Sequence, residues 1–404
     1  MIYDVIVVGG GASGMMAAIT AKKQKKSVLL LERMDKLGKK ILATGNGRCN
    51  LTNDCMEETS YRGNQPGFSE YVLKKFSQEE LLSFFQSLGM LTTQINGYYY
   101  PASLQAFTVV ETLIETMKHL KIEMEIGVEV SKIEHLVDFY EMKNKDGKTY
   151  KSRQVILSTG GKAQEKLGSN GSGYVLAKQL GHHMTDIYPG LVALESPDTY
   201  FKNLHGVRQV CNIKVFVNGK EEVSQRGEVQ FTKYGISGIP VFQISRYAIS
   251  ALRKKKKVVI ELNLMPDMLT LEETMEQMKK MCEYKTIEQF LNGCMNCKLS
   301  KCILQRCKIK PTVQVSSMSQ SNWQSMLDMI KHFQVAVSNY KGFDMAQVTV
   351  GGVDTREVIQ ETLESKYHKG LFFTGELLDV DGTCGGYNLQ WAFSSGYIAA
   401  MNLK

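Results

Sequence analysis

The chain has 404 residues, 43% hydrophobic and 22% charged, the composition of a globular protein with room for two or three domains. No apolar run is long enough to span a membrane, and the N-terminus has no basic n-region or cleavage site, so it does not read as a signal peptide. An odd count of nine cysteines argues against a disulfide scaffold; the formal charge of +8 is modest, and no basic face with interleaved aromatics of the kind a nucleic acid needs is visible in the sequence. Reduced thiols in a cytoplasmic protein are expected.

Ile2 to Val8 is a β-rich apolar run that suits a buried parallel strand. Gly9, Gly11 and Gly14 follow as GxGxxG, then an Ala/Met-rich helical segment to about Lys25, then the apolar strand Val28 to Leu31, closed by Glu32. In such a strand–turn–helix–strand unit, Gly9 serves the tight turn, Gly11 lets a pyrophosphate approach, and Gly14 allows close helix–strand packing. A helix beginning near Ala12 and Ser13 offers free N–H groups to the phosphates. Glu32 would accept hydrogen bonds from a ribose hydroxyl and repel a 2′-phosphate, which favours FAD or NAD over NADP. The plainer reading is a glycine turn in an ordinary α/β domain.

Residues 35 to 53 form a long loop rich in Gly, Lys and Asn. Gly45 and Gly47 flank Asn46, so the backbone can adopt positive φ close to a ligand. Lys39, Lys40 and Arg48 can neutralise phosphates, while Asn46 and Asn50 can bond either a cofactor or the loop itself. Directly after a Rossmann fingerprint, GKKILATGNGRCNLTN resembles the BaiN/YhiN-type flavoproteins, which are bacterial FAD-dependent oxidoreductases. Later segments extend the resemblance over nearly the whole chain. It implies FAD, with Arg33, Lys40, Asn46, Gly47, Arg48, Cys49 and Asn50 around it.

Phe68 to Gly89 has apolar residues at helical spacing. GYYYPAS, Gly97 to Ser103, departs from the family, which tends to carry an Arg after the glycine where this chain has Tyr98, so a family role is not carried over to that position. Tyr98, Tyr99 and Tyr100 are strand residues, or one of them is a proton donor beside a flavin. A helix from Phe107 to Leu120 precedes the alternation Glu125 to Ile133 and a hairpin at Asn144 to Gly147. By resemblance, Val130 contacts adenine through its backbone. Arg153 to Gly161 is a strand ending in Thr159, Gly160 and Gly161, where related flavoproteins return beneath the cofactor. Gly168, Gly171 and Gly173 lack both GxGxxG spacing and a preceding strand, so they make no second dinucleotide site. His182 and His183, at a strand entrance, would point to opposite faces and hold no metal.

From Tyr188 onward, YPGLVALES, VCNIKVFVNGK, GEVQFTKYGISGIPVFQISR and KKVVIELNLMP read as strands of an antiparallel barrel or sandwich. Thr232, Tyr234 and Ser237 line a pocket or pack the sheet. Arg253 to Lys257 reads as a solvated hairpin turn. Asp267 to Cys307 is helical, with a capping box over Thr270 to Glu273. Cys294, Cys297, Cys302 and Cys307 match no standard metal spacing and read as buried or incidental thiols. Strands return at Pro311 to Ser316 and Phe333 to Ser338. Near the C-terminus, Leu371 to Thr374 is a strand meeting Gly375 and Glu376, and Asp379, Asp381 and Gly382 make a turn. Gly385 and Gly386 open a helix that begins with Asn388. By resemblance, the Gly386, Tyr387, Asn388 and Leu389 amides lie under the flavin pyrimidine.

The expected fold is α/β: a Rossmann-type, two-dinucleotide-flavoprotein-like FAD-binding domain from residues 1–187 and 346–404. It is interrupted by an antiparallel β-rich substrate domain, 188–345, with a helical part at 266–307 and a substrate pocket between the domains. The resemblance implies an oxidoreductase, with NADH or NADPH as transient electron donor, that reduces an enone double bond of a bile-acid-like 3-oxo-Δ4,6 steroid. Such a substrate is small and hydrophobic or anionic. Tyr98, Tyr99, Tyr234 and Arg48 are the catalytic candidates. An amine or 2-oxo-acid oxidase and a flavin-carrying RNA-modifying or RNA-binding protein remain as alternatives. No metal, nucleic-acid or membrane partner is expected, and the oligomeric state stays open.

Overall fold

The computed structural model describes residues 1–268 and 270–404, with Glu58 by its backbone alone. The chain forms two compact units, Met1–Pro189 with Phe343–Lys404, and Gly190–Gly342. No helix among the described residues is long and apolar enough to cross a membrane.

The first unit is built on a parallel sheet in which Tyr3–Val8 lies between Val28–Glu32 and Thr149–Leu157, with Glu123–Ile126 outermost beyond Val28–Glu32. Val5 to Val8, Val28 to Leu31 and Val155 to Leu157 are buried without a break, as strands covered on both faces must be. Thr149–Leu157 is long enough to serve two partners along its far edge. Its start pairs antiparallel with Tyr140–Asn144 of a small meander, and its end pairs parallel with Leu371–Phe373. The C-terminal segment thereby enters the sheet begun by the N-terminus.

The first helix, Ala12–Lys23, is buried at every residue from Ala12 to Ala21. Its small, apolar composition reflects contact on all sides rather than one amphipathic face. The last helix, Tyr387–Met401, crosses it closely enough that a Cβ at Gly396 would stand 2.2 Å from the Ser13 carbonyl oxygen. Between them, Phe68–Lys75 and Gln78–Ser87 form the expected helices, and Ser77 and Glu80 close a reciprocal capping box on the second. The small sheets of this unit include Thr52–Asn53 with Tyr98–Pro101 and Thr92–Ile95, and Tyr61–Arg62 with Asp381–Gly382. Asp381 and Gly382 are thus a short strand rather than a free turn.

The second unit is one antiparallel sheet in the order Phe333–Val337, Val258–Asn263, Arg208–Val217, Lys220–Thr232, Gly235–Ser237, Leu194–Glu195, Asn339–Tyr340. Ser338 alone separates its two edge strands in sequence, so the sheet curls round toward itself as a barrel does. Several expectations fail here. Ile239–Arg253, read as strand, is a helix with Pro240 in its first turn. Its buried Val241, Ile244, Ser245, Ala248 and Ile249 follow the helical period, which outweighs the brief alternation of VFQIS. Arg253 to Lys257 therefore connects a helix to a strand and is no hairpin. Pro311 to Ser316 forms no strand, only a single bridge from Gln314 to Thr286 ahead of a short turn at Val315–Ser317. Thr270 heads Leu271–Met281 without a side-chain cap bond; the capping box of this region is Thr286 with Gln289.

The positive charge divides unevenly. Residues 190–342 hold 22 Lys and Arg against 13 Asp and Glu, whereas the first unit holds 27 against 28.

Candidate functional site

The glycine turn has the geometry that a pyrophosphate requires. Gly9 sits at φ 110°, and a Cβ there would meet the Ser158 carbonyl oxygen at 2.4 Å. A Cβ on Gly14 would lie 1.8 Å from the Gly9 carbonyl oxygen, which fixes helix against turn. At Gly11, by contrast, a Cβ would meet nothing within 4 Å. The helix behind it begins with neither an acidic residue nor a side-chain cap. Its N–H groups, and the positive end of its dipole, face an open cradle. Glu32 ends the second strand, buried, with Oε2 accepting the Gly10 N–H at 2.6 Å and Oε1 accepting the Met34 N–H at 2.7 Å. Each carboxylate oxygen keeps a second lone pair for a ribose hydroxyl. These residues fit the adenosine end of a dinucleotide.

Around that cradle, Arg33 donates to the Gly168 carbonyl oxygen at 3.1 Å, and buried Val130 pairs with Asn144 in the meander. Thr159, Gly160 and Gly161 follow the strand Thr149–Leu157. The Thr159 hydroxyl is buried with no partner among the described residues, and a Cβ on Gly161 would meet Thr349 Oγ1 at 2.4 Å and Glu376 Oε1 at 2.7 Å. Glu376 accepts the Thr349 N–H at 2.8 Å and pairs with Lys40 at 2.6 Å. Gly375, at φ 64°, lies against Ser13 and takes the Trp391 indole N–H on its carbonyl. The strand end at Gly375, the Thr-Gly-Gly turn and the first helix therefore meet in one place.

The second cradle is the start of the last helix, at Tyr387 rather than Asn388. It too has no acidic residue in its first turn and no side-chain cap. Gly385 and Gly386 have φ of 127° and 95°; a Cβ on Gly385 would strike the Tyr98 ring at 2.9 Å, and one on Gly386 the Thr52 backbone at 2.7 Å and Asn50 Oδ1 at 2.9 Å. Asn53 donates to the Gly385 carbonyl oxygen at 3.0 Å. Asn388 locks the preceding turn by bonding Gly382 in both directions, while Leu389 is half-buried.

The loop Thr44 to Asn50 carries left-handed backbone at Gly45, Asn46, Gly47 and Cys49. Asn46, Gly47 and Arg48 are exposed, whereas Cys49 is fully buried and its thiol is pushed up to about 12 by that burial. The Cys49 side chain is a core residue, so only its backbone can serve a ligand.

Of the catalytic candidates, Tyr98 and Arg48 fall in one neighbourhood, with two additions. On the strand Tyr98–Pro101, alternation puts Tyr98 and Tyr100 on one face and Tyr99 on the other. Tyr99 is bound to Asp54, which raises its phenol and takes it away from the Gly385 side. Tyr100 is raised first by burial, then by Tyr98, with Arg48 and Cys384 as its other electrostatic neighbours. Cys384 lies 3.9 Å from Gln347 Oε1, and burial holds its thiol above the usual range. Period-two alternation in YYYP was the signal that could have preferred Tyr100 to Tyr99. Tyr234 belongs to the other unit, where Lys341 sits 3.8 Å over its ring.

The cysteines of the helical region do not converge. Cys294 faces Met275 and the Phe290 carbonyl, Cys302 is buried, Cys307 contacts the Ser325 carbonyl, and Cys297 is exposed. Among the described residues, no three His, Cys, Asp or Glu side chains are placed to hold a metal ion. His182 and His183 lie outside any strand, and although one is buried and one exposed, both rings reach Glu357, at 3.2 and 2.6 Å.

A family model described as the HI0933-like protein Rossmann domain matches residues 3–402. The chain is 41% identical over 379 residues to the 3-dehydro-bile acid delta(4,6)-reductase of Clostridium scindens, covering 92% of this chain and 91% of that protein. It is 27% identical over 376 residues to the ribosomal RNA dihydrouridine synthase of Escherichia coli, covering 93% and 92%. Among solved structures, it is 14% identical to a 3-ketosteroid-delta4-(5alpha)-dehydrogenase from Rhodococcus jostii, with TM-score 0.49 and coverage of 99% and 97%.

Proposed function

The chain belongs to the HI0933-like family, and from that premise we propose that it reduces a carbon–carbon double bond conjugated to a carbonyl. It is an FAD-dependent oxidoreductase with a Rossmann-type fold. The observation that carries the finer reading is the 41% identity, over 92% of the chain, to an enzyme named for reducing the Δ4,6 bonds of a 3-dehydro bile acid. A steroid 3-oxo-4,6-diene is accordingly the substrate class, with NADH or NADPH as the source of electrons.

Bound FAD supplies the hydride that adds to the β-carbon of the enone. The first helix, Gly11 and Glu32 hold the adenosine diphosphate end, and the N-terminus of the last helix lies at the other cradle, where its dipole favours negative charge. Once hydride has added, the substrate is an enolate; its α-carbon needs a proton and its oxygen needs a positive or hydrogen-bonding partner. Tyr100 and Cys384, both held protonated by burial, are the proton sources, and Arg48 is the cation beside them. Anaerobic incubation with NADH or NADPH and a 3-oxo-4,6-diene tests this: the dienone absorbance should disappear with two hydrogens gained. Flavin that NAD(P)H leaves oxidised, but an amine or 2-hydroxy acid reduces, would replace the reductase by an oxidase.

A second reading has its own support. The C5–C6 bond of uracil is also conjugated to a carbonyl, so the same hydride and proton placement yields dihydrouridine. The concentration of positive charge in residues 190–342 suits a polyanion, and relatives at 27% and 28% identity are named ribosomal RNA dihydrouridine synthases. Mass spectrometry of ribosomal RNA incubated with enzyme and reductant separates the two substrates by whether a uridine gains two hydrogens.

A further inference from the structure

The helix Ile239–Arg253 ends in a tightly bonded turn. The Lys254 and Lys256 amides donate to the Ala251 carbonyl oxygen at 3.1 and 3.0 Å, and the Lys255 amide to that of Leu252 at 2.8 Å. Lys257 then exchanges two bonds with Asn218 at the tip of the Arg208–Val217 and Lys220–Thr232 hairpin. The Asn218 N–H donates to the Lys257 carbonyl oxygen at 2.9 Å, and the Lys257 N–H to Asn218 Oδ1 at 3.0 Å. Lys220 leaves the same hairpin tip. Five lysines thus project from two segments stapled together at one end of the sheet.

All five are exposed, and none makes an ion pair among the described residues. Of the acids following Lys220, Glu221 is taken by Lys214, and Glu222 remains. We propose that Lys220 and Lys254 to Lys257 form a docking site for the phosphodiester backbone of RNA. This rests on the RNA reading of the substrate given above. A cluster of like charges holds a counterion atmosphere that a polyanion displaces, which is the driving term in RNA binding. Lysines are suited to it as point charges that take any phosphate geometry. No large exposed apolar side chain lies on the turn, so nothing there is built to enter a lipid bilayer.

The bland explanation is that lysines at a helix C-terminus answer its dipole. The chain contains its own control for this: Lys22, Lys23, Lys25 and Lys26 stand at the end of the first helix, in a unit whose charges balance.

The test is fluorescence anisotropy of a labelled RNA stem–loop titrated with the flavin-loaded protein across a NaCl series. Replacing Lys254, Lys255, Lys256 and Lys257 by Ala should weaken binding at low salt by roughly tenfold or more and flatten the log–log salt slope by about 3. The K22A/K23A/K25A/K26A protein should keep both affinity and slope. Should the fourfold variant lose its flavin absorbance, K255A/K256A reads the same effect at about half the slope change. Equal losses in both fourfold variants, unchanged binding in the first, or binding to phosphatidylglycerol vesicles but not RNA would overturn the site. Uridine reduction is scored separately: RNA bound through the turn but never reduced removes the RNA-reductase reading and leaves the docking site standing.

Discussion

Lys40 Nζ lies 2.6 Å from Glu376 Oε2, joining the loop after the second strand to the segment that closes the sheet from the C-terminal side. Both side chains are largely buried, and the other Glu376 oxygen is held by the Thr349 N–H. Lys40→Met leaves that carboxylate without its cation, which should cost about 1–2 kcal/mol of stability, between the values for exposed and fully buried pairs. Urea unfolding of the flavin-free protein measures it; a midpoint equal to wild type would show the pair to be idle.

Two glycines of one motif should fail in different ways. Gly14→Ala forces a Cβ into the Gly9 carbonyl, so the protein should unfold at lower temperature with or without FAD. Gly11→Ala meets no protein atom, so the flavin-free protein should melt as wild type does while FAD affinity falls. Calorimetry with and without FAD separates them, and equal destabilisation by both would contradict the open cradle.

For proton delivery, Tyr100→Phe and Cys384→Ala should each be assayed against Tyr99→Phe. Loss of the true donor should lower turnover by about 10²–10⁴ while flavin reduction by NAD(P)H proceeds. Tyr99→Phe should change turnover less than threefold, a rough bound, since Tyr99 is engaged with Asp54. Single-turnover traces that show Tyr99→Phe as the slow variant would reverse the assignment.

Acid should weaken the fold first through histidine. Burial lowers the His182 pKa in spite of Glu357, and His135 is lowered by burial and then by His368. A histidine with a folded pKa below its unfolded value of about 6.5 contributes stability that is complete above that value and is lost as pH falls toward the folded pKa. Asp354 is held well below the carboxylate range, chiefly by Arg356, so its contribution persists until far more acidic pH. Urea midpoints should therefore decline between pH 7 and 5, and His182→Asn should flatten that decline. A midpoint constant over the interval would rule this out.

Thiol labelling should follow burial. In the native protein, Cys55 and Cys297 are exposed and should react with a maleimide, whereas Cys49, Cys211 and Cys302 should react only after denaturation. Mass spectrometry of the labelled peptides decides it.

The parallel sheet was legible in the sequence because strands buried on both faces leave unbroken apolar runs, as at Val5 to Val8 and Leu371 to Phe373. The glycine turn was legible for a similar reason, since each glycine answers a close approach that no side chain allows. Ile239 to Arg253 was not, because VFQIS alternates at the strand period for a few residues before its helical period can be counted. The Thr52–Gly386 and Tyr98–Gly385 approaches were invisible as well. They join positions far apart in the chain, and no local pattern encodes which distant backbone a glycine must clear. The uneven charge, by contrast, was legible, since the inserted segment expected at 188–345 carries nearly the same excess of Lys and Arg as the unit Gly190–Gly342.

The crossing of the last helix over the first at Gly396 and Ser13 has a consequence for synthesis. A ribosome releases residues 1–189 long before the strand Leu371–Phe373 and the helix Tyr387–Met401 exist to cover them, while residues 190–342 emerge as an uninterrupted stretch. The nested unit can be complete when the older one is still an open sheet with a bare edge. A nascent chain stalled before residue 370 should therefore engage chaperones through its N-terminal half, and only the final few dozen residues end that exposure.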